Sequence, residues 1–228
     1  MNRKHRLQRA TVLIFVLLCS GGWPRNGSAA TLREETVKAW DLYKKLTEGR
    51  IEGELESDDG FLVRDFLPDS DAAEIRSALA RGNIFVRRME TRDEEGGKIK
   101  IPKGLVHHWY GSVLVPGICI DELLAWIQAY DKHQDYFEEV EDSRLVSRRG
   151  EVFEIYLRLR RKKVITVHYN TDHVVTYKRW APDKGSSRSE AVRIAELEDP
   201  GTDKEREKKP GVEDGGYLWR LDSYWRFK

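Results

Sequence analysis

After about residue 140 the chain repeats its oily side chains at every second position, the rhythm of a β-strand with one face buried. It is cleanest over residues 152–159, where Phe153, Ile155, Leu157 and Leu159 fall on one side and Glu154, Tyr156, Arg158 and Arg160 on the other. Alternation of this kind predicts an antiparallel sheet with one face on a core, because a one-residue slip would send every apolar side chain into water. Residues 141–149 read as a polar strand before it. Residues 164–169 and 174–180 flank Asn170-Thr171-Asp172, which reads as a hairpin turn. Residues 182–189 read as a polar loop, 191–197 as a strand, and 200–216 as a long charged loop with two prolines and four glycines. Residues 217–227 then put Tyr217, Trp219, Leu221, Trp225 and Phe227 on one face.

Upstream the period is helical. Leu32, Val37, Trp40, Tyr43 and Leu46 make one stripe of a helix over 31–49, with Gly49 as its stop. Residues 61–66 suggest a short strand. A second helix opens at Asp71, with Glu74 completing a capping box, shows Ile75, Ala78 and Leu79 on its apolar side, and ends at Gly82. Strands are expected over 83–90, 98–101 and 106–115, the last carrying His107, His108, Trp109 and Tyr110 and closed by Pro116-Gly117. Ile120, Leu123, Leu124 and Ile127 then share one face of a helix over 120–130, followed by a shorter helical piece over 131–137. The expected fold is α+β: a curved antiparallel sheet with short helices.

The first thirty residues read as a secretory signal peptide. Arg3, Lys4, Arg6 and Arg9 precede an apolar run over 11–19, and Ser28-Ala29-Ala30 offers small residues for cleavage after Ala30. An exported chain, periplasmic or secreted, follows. That segment holds five of the 40 basic residues and none of the 39 acidic ones, which leaves 35 against 39, a net charge of −4. Such a balance argues against nucleic acid as a partner. Of the two cysteines only Cys119 lies beyond residue 30, so no internal disulfide supports the exported chain.

Four phrases carry a likeness to a known family: HHWYGSVLVPG, YDKHQDYF, DSRLVSRRGEVFEIYLRLRRKKVITVHYNT and GYLWRLDSYWRF. In that order, from Gly104 to the last residue, the chain resembles the START/Bet v 1-like (SRPBCC) superfamily, in particular an uncharacterised exported bacterial branch. The resemblance implies a helix-grip fold, in which a curved antiparallel sheet grips a long C-terminal helix over a hydrophobic pocket. It divides the chain into a signal peptide (1–30), an N-terminal helical and strand extension (31–103) and a START-like domain (104–228). The family's last strand and grip helix have no counterpart before Lys228. The expectation is therefore a truncated grip, unless the helix at 31–49 or 71–81 covers the sheet.

No convincing catalytic set stands out, and no cofactor or metal is expected. His107 and His108 are adjacent on a strand and point to opposite faces. His168 and His173 straddle the expected turn and, with Glu190 or Asp172, could form a mixed nitrogen and oxygen site; two solvated hairpin residues are the plainer reading. Asp121 and Glu122 suit a helix N-terminus, and Asp135, Glu138, Glu139, Glu141 and Asp142 a solvated acidic face. Cys119 reads as a small buried residue and Ser223 as structural. The basic run Arg158, Arg160, Arg161, Lys162 and Lys163 reads as a solvated hairpin, with contact to a membrane surface or lipid headgroup as the alternative. The strongest candidate is a cavity lined by Trp109, Phe153, Ile155, Leu157, His168, Tyr217, Trp219, Leu221 and Trp225, with Tyr217, Ser223 or His168 as polar anchors. Ordinary core packing is the plain alternative for these residues. The expectation is a protein that holds a hydrophobic small molecule or lipid. The other readings are a cyclase- or hydrolase-like enzyme with a His/carboxylate set, or an interaction module with an exposed aromatic face.

Overall fold

The structure, a computed structural model, describes residues 34–162 and 165–228. The expected signal peptide, residues 31–33 and the start of the strand expected at 164 lie outside the described residues. The chain forms two compact units that meet in sequence at Pro116 and Gly117.

The first unit holds α1 (Glu34–Glu56), a 3-10 turn (Val63–Phe66), α2 (Asp69–Ala80) and a hairpin of β1 (Phe85–Met89) and β2 (His108–Ser112). α1 does not stop at Gly49. It runs through Gly49 and Gly53 to Glu56, helped by an Arg50–Glu54 ion pair at 2.6 Å and by a buried stripe of Thr36, Tyr43 and Thr47. Two interior glycines cost a helix only about 1 kcal/mol each, which such contacts offset. The expected strand at 61–66 is instead the 3-10 turn. The Asp65 carboxylate accepts the N–H groups of Phe61 and Leu62, at 3.0 and 2.9 Å, and so bends the chain back. α2 begins at Asp69 behind Pro68, two residues before the expected start, and Asp71 and Glu74 both hold Arg87 of β1 instead of forming a capping box. Ile75, Ala78 and Leu79 pack with Phe85, and Gly82 ends the helix at φ +73°. Residues 98–101 give only one isolated bridge, Lys98 to Arg92.

β2 pairs with β1, so the HHWYGS segment belongs to this first unit and not to the sheet that follows. The two compact units part between residues 116 and 117, at Pro116-Gly117.

The second unit is α+β. It opens with α3 (Ile120–Ile127) and a 3-10 helix (Tyr130–Asp135). A strongly curled antiparallel sheet follows, forming a half-barrel from β3 (Val140–Arg149), β4 (Val152–Lys162), β5 (Thr166–Ala181), β6 (Lys184–Glu198), β7 (Arg206–Glu207) and β8 (Asp222–Phe227). β6 is shared: its second end pairs with β7, and its first part, from Gly185 to Glu190, pairs with β8.

Two sequence expectations fail here for one reason. Asn170-Thr171-Asp172 is no turn, because β5 runs unbroken for 16 residues and pairs residue by residue with β4. Residues 184–189 are no loop, because β6 begins at Lys184, just past a two-residue turn at Pro182-Asp183. Asn, Asp, Ser and Gly have poor strand propensity, but that propensity yields where neighbouring strands claim both edges.

The two faces of the sheet differ sharply. Phe153, Ile155, Leu157, Leu159, Val167, Tyr169, Val175, Tyr177 and Phe227 form one buried cluster on the concave side. The opposite face is charged. Arg158 donates two hydrogen bonds to Glu205 at 2.8 and 2.7 Å and one to Glu141 at 3.2 Å. Arg193 joins Asp172 and Glu207, and Asn170 also donates to Glu207 at 2.9 Å. These bonds strap residues 205–207 across the outer face. The Arg158 guanidinium and the Gly201 N–H hold the Glu205 carboxylate down at about 2. Replacing Arg158 by alanine is expected to destabilise by about 2 kcal/mol, the scale of hydrogen bonds to charged groups. Trypsin should then cut after Lys204, Arg206 or Lys208 several times faster, which limited proteolysis reads directly.

Candidate functional site

The concave face is built by alternation. Odd-numbered side chains of β4 and β5 point into the curl, and α3 lies against them through Ile120, Leu123, Leu124 and Ile127. The cover on the sheet is thus the helix after Pro116-Gly117. Gly185 of β6 makes room for it: a Cβ there would stand 3.5 Å from Ile120 Cδ1 and 3.8 Å from Leu124 Cδ1. An alanine fits at that spacing, but a longer side chain must displace the helix. Gly185→Leu is expected to cost about 1–3 kcal/mol by overpacking and to shift the emission of Trp126, which sits on α3.

α3 is unusual in one respect. Its sequence, IDELLAWI, is mostly apolar, yet none of its residues is fully buried. Phe137, Leu145, Ile194, Leu218, Leu221 and Trp225 are likewise only half-buried around the cluster. Cys119, expected to be buried, is exposed just before α3, where its N–H donates to the Glu122 carboxylate at 3.2 Å.

The interior also carries polar groups. Tyr130 and Tyr177 share a hydroxyl–hydroxyl bond of 2.7 Å, flanked by Phe153 with ring centroids 5.8 and 5.2 Å away. Burial raises both phenols, Tyr177 to about 12. Thr171 has no exposed surface and donates to the Leu157 carbonyl at 2.9 Å. His173, 4% exposed, places Nε2 2.9 Å from Thr171 Oγ and Nδ1 3.3 Å from Ser189 Oγ. Burial pushes the His173 imidazole down to about 4.

Of the nine side chains expected to line a cavity, Phe153, Ile155 and Leu157 lie in the buried cluster, and Leu221 and Trp225 pack against it half-buried. The other four lie elsewhere. Trp109 is on β2, in the first unit. His168 is on the charged face, 2.8 Å from Glu141, because it is one residue out of phase with Val167 and Tyr169. Tyr217 and Trp219 precede β8, which starts only at Asp222, so two-residue spacing does not govern them. There Leu218 and Leu221, three apart, turn inward, while Tyr217 is 50% exposed. His168 and His173 lie on opposite faces of one strand and cannot share a metal ion. Among the described residues no group of three or more His, Cys, Asp or Glu is placed to hold one.

Comparison with protein-family models, curated proteins and solved structures gives no match. Function therefore rests on the site's own geometry.

Sequence reasoning missed the polar interior: His173 as an inward group, Thr171, Ser189 and the Tyr130–Tyr177 pair. One signal was present. Val167, Tyr169, Thr171, His173, Val175 and Tyr177 keep strict two-residue spacing straight through the supposed turn.

Proposed function

We propose that this is an exported protein that holds an apolar, lipid-like ligand between the curled sheet and α3. The fold is helix-grip-like in this reading, with α3 seated in the curl and Leu218, Leu221 and Trp225 packed on the same apolar cluster. The observation that carries it is the half-buried α3. Each Leu or Ile gains about 1.5–3 kcal/mol on full burial. Ile120, Leu123, Leu124 and Ile127 forgo part of that gain, as do Leu218, Leu221 and Trp225, which pack on the same cluster. An apolar guest in that seam supplies the missing contacts. Membrane-surface contact fits delivery of such a guest; among the described residues no helix is long and apolar enough to cross a bilayer.

Native mass spectrometry of gently purified protein, followed by titration with the fluorophore N-phenyl-1-naphthylamine, tests the reading. A co-purifying apolar species, or saturable dye uptake that Leu124→Glu abolishes, is the expected result. An empty protein that takes up no dye would remove the proposal. Export is tested separately, by fusing residues 1–30 to a reporter active only outside the cytoplasm.

A further inference from the structure

The middle of the concave face holds a small polar island, and its hydrogen-bond directions can be deduced. The single proton of the Thr171 hydroxyl is committed to the Leu157 carbonyl. Toward His173 Nε2, Thr171 can therefore only accept, so Nε2 carries the imidazole proton. In the neutral ring Nδ1 then presents a lone pair, and the Ser189 hydroxyl donates into it. The oxygen of Ser189 is left to accept from a further donor. Ser189 is half-buried, and directly opposite it on β8 stands Ser223, also half-buried.

The island's neighbours in register are apolar. Ile155 and Ala191 flank His173, Val175 flanks Ser189, and Trp225 stands opposite Ser187. The charged Arg188 and Glu190 alternate to the other face. One end of β6 is covered. α3 sits over Gly185, and the segment leading to β8 is fixed where the Ala191 N–H donates to the Leu221 carbonyl at 2.9 Å. The two serines lie further along the same ladder than Gly185, beside a cluster whose outer apolar side chains stay half-buried.

From this geometry we infer that Ser189, Ser223 and His173 receive the hydroxyl group of an otherwise apolar ligand. The inference rests on the binding reading above and narrows its ligand to alcohols. The ligand's O–H donates to Ser189 Oγ, and Ser223 donates to the ligand oxygen. A carboxylate is disfavoured, since it would face the Ser189 oxygen, whose proton is already committed to His173, in apolar surroundings with no charge to pair it. Catalysis by Ser189 as a nucleophile is the poorer reading, because strand ladders on both sides engage the main chain that an oxyanion would need.

The test uses the full chain and three probes of equal length, decan-1-ol, decane and decanoate, each competing with the fluorophore. Decan-1-ol should compete best, and Ser189→Ala should weaken it about five- to tenfold while leaving decane within twofold. Ser223→Ala, checked for folding by circular dichroism, should act in the same direction. In nitrogen-15 spectra the His173 Nδ1 resonance should move on adding decan-1-ol and stay fixed with decane. Equal loss for alcohol and alkane, no loss for either, or decanoate as the best competitor would overturn the inference while leaving an apolar site intact. If neither the fluorophore nor any probe binds, both readings fall together.

Discussion

Replacing Phe153 by alanine is expected to lower the unfolding free energy of the sheet unit by about 3–5 kcal/mol, the range for emptying a packed aromatic site. Phe153 is 1% exposed and sits at the crossing of several contacts. Its ring meets Tyr177 edge-on at 5.2 Å and Tyr130 at 5.8 Å, and the Arg148 guanidinium lies 4.5 Å from its centroid. Its removal opens a cavity beneath the Tyr130–Tyr177 bond as well as losing buried area. Those hydroxyls are held at 2.7 Å only while both rings are backed, so the bond weakens with the packing. Phe153→Leu, which keeps most of the volume, should cost far less, about 1 kcal/mol. Urea titration followed by intrinsic fluorescence measures both. A loss below about 1 kcal/mol for alanine would mean that the alternating strand does not build the core.

The second large effect is acid loss of stability above the carboxylate range. Burial holds the His173 imidazole down to about 4, and His108 is likewise held at about 4, by burial first and then by the nearby Arg50 charge. His133 shifts in the same direction, also through burial. An unfolded histidine takes up its proton near 6.5. As pH falls below 6.5 the unfolded chain binds protons that the folded chain refuses until about 4, so stability drops through that window and levels off beneath it. The slope is up to about 1.4 kcal/mol per pH unit for each such group, or roughly 3 kcal/mol in total for a site as buried as His173. The Glu205 pairing on the outer face behaves differently: with its carboxylate held to about 2, its contribution is whole above 4.5 and is lost as pH falls from there toward about 2. Urea midpoints at pH 7.0, 5.5 and 4.5 should fall in sequence, and His173→Asn should flatten the fall for the sheet unit. Peptide-level hydrogen exchange separates that unit from the one holding His108, which bonds Tyr43 at 3.0 Å. Midpoints that stay level from pH 7.0 to 4.5 would show that these imidazoles titrate freely in the folded protein.

Legibility tracked how strong each local pattern was. Residues 152–159 alternate fully, and they form β4 with the predicted apolar side turned inward. Ile120, Leu123, Leu124 and Ile127 repeat at helical spacing, and they form the half-buried side of α3 that packs on the core. The failures cluster where residue type and pattern disagree. Asn170, Thr171 and Asp172 are turn-formers by type but hold the strand phase, and the phase prevailed. Gly185 looks like a loop residue, yet its lack of a side chain is what a helix resting on the sheet requires. Reading a turn at 170–172 put His168 on the inner face and left His173 as a hairpin residue, when the reverse holds.

By itself the sequence determined that there would be a half-apolar antiparallel sheet and which side chains of β4 would be hidden, because two-residue periodicity is a local property of a strand. Only the tertiary structure decided where strands end, that β2 belongs with β1, which helix covers the curl, and that a histidine and two serines meet at its centre. Those outcomes depend on partners far apart in the chain, from Leu157 to Ser223, and no local pattern encodes which of them will be neighbours.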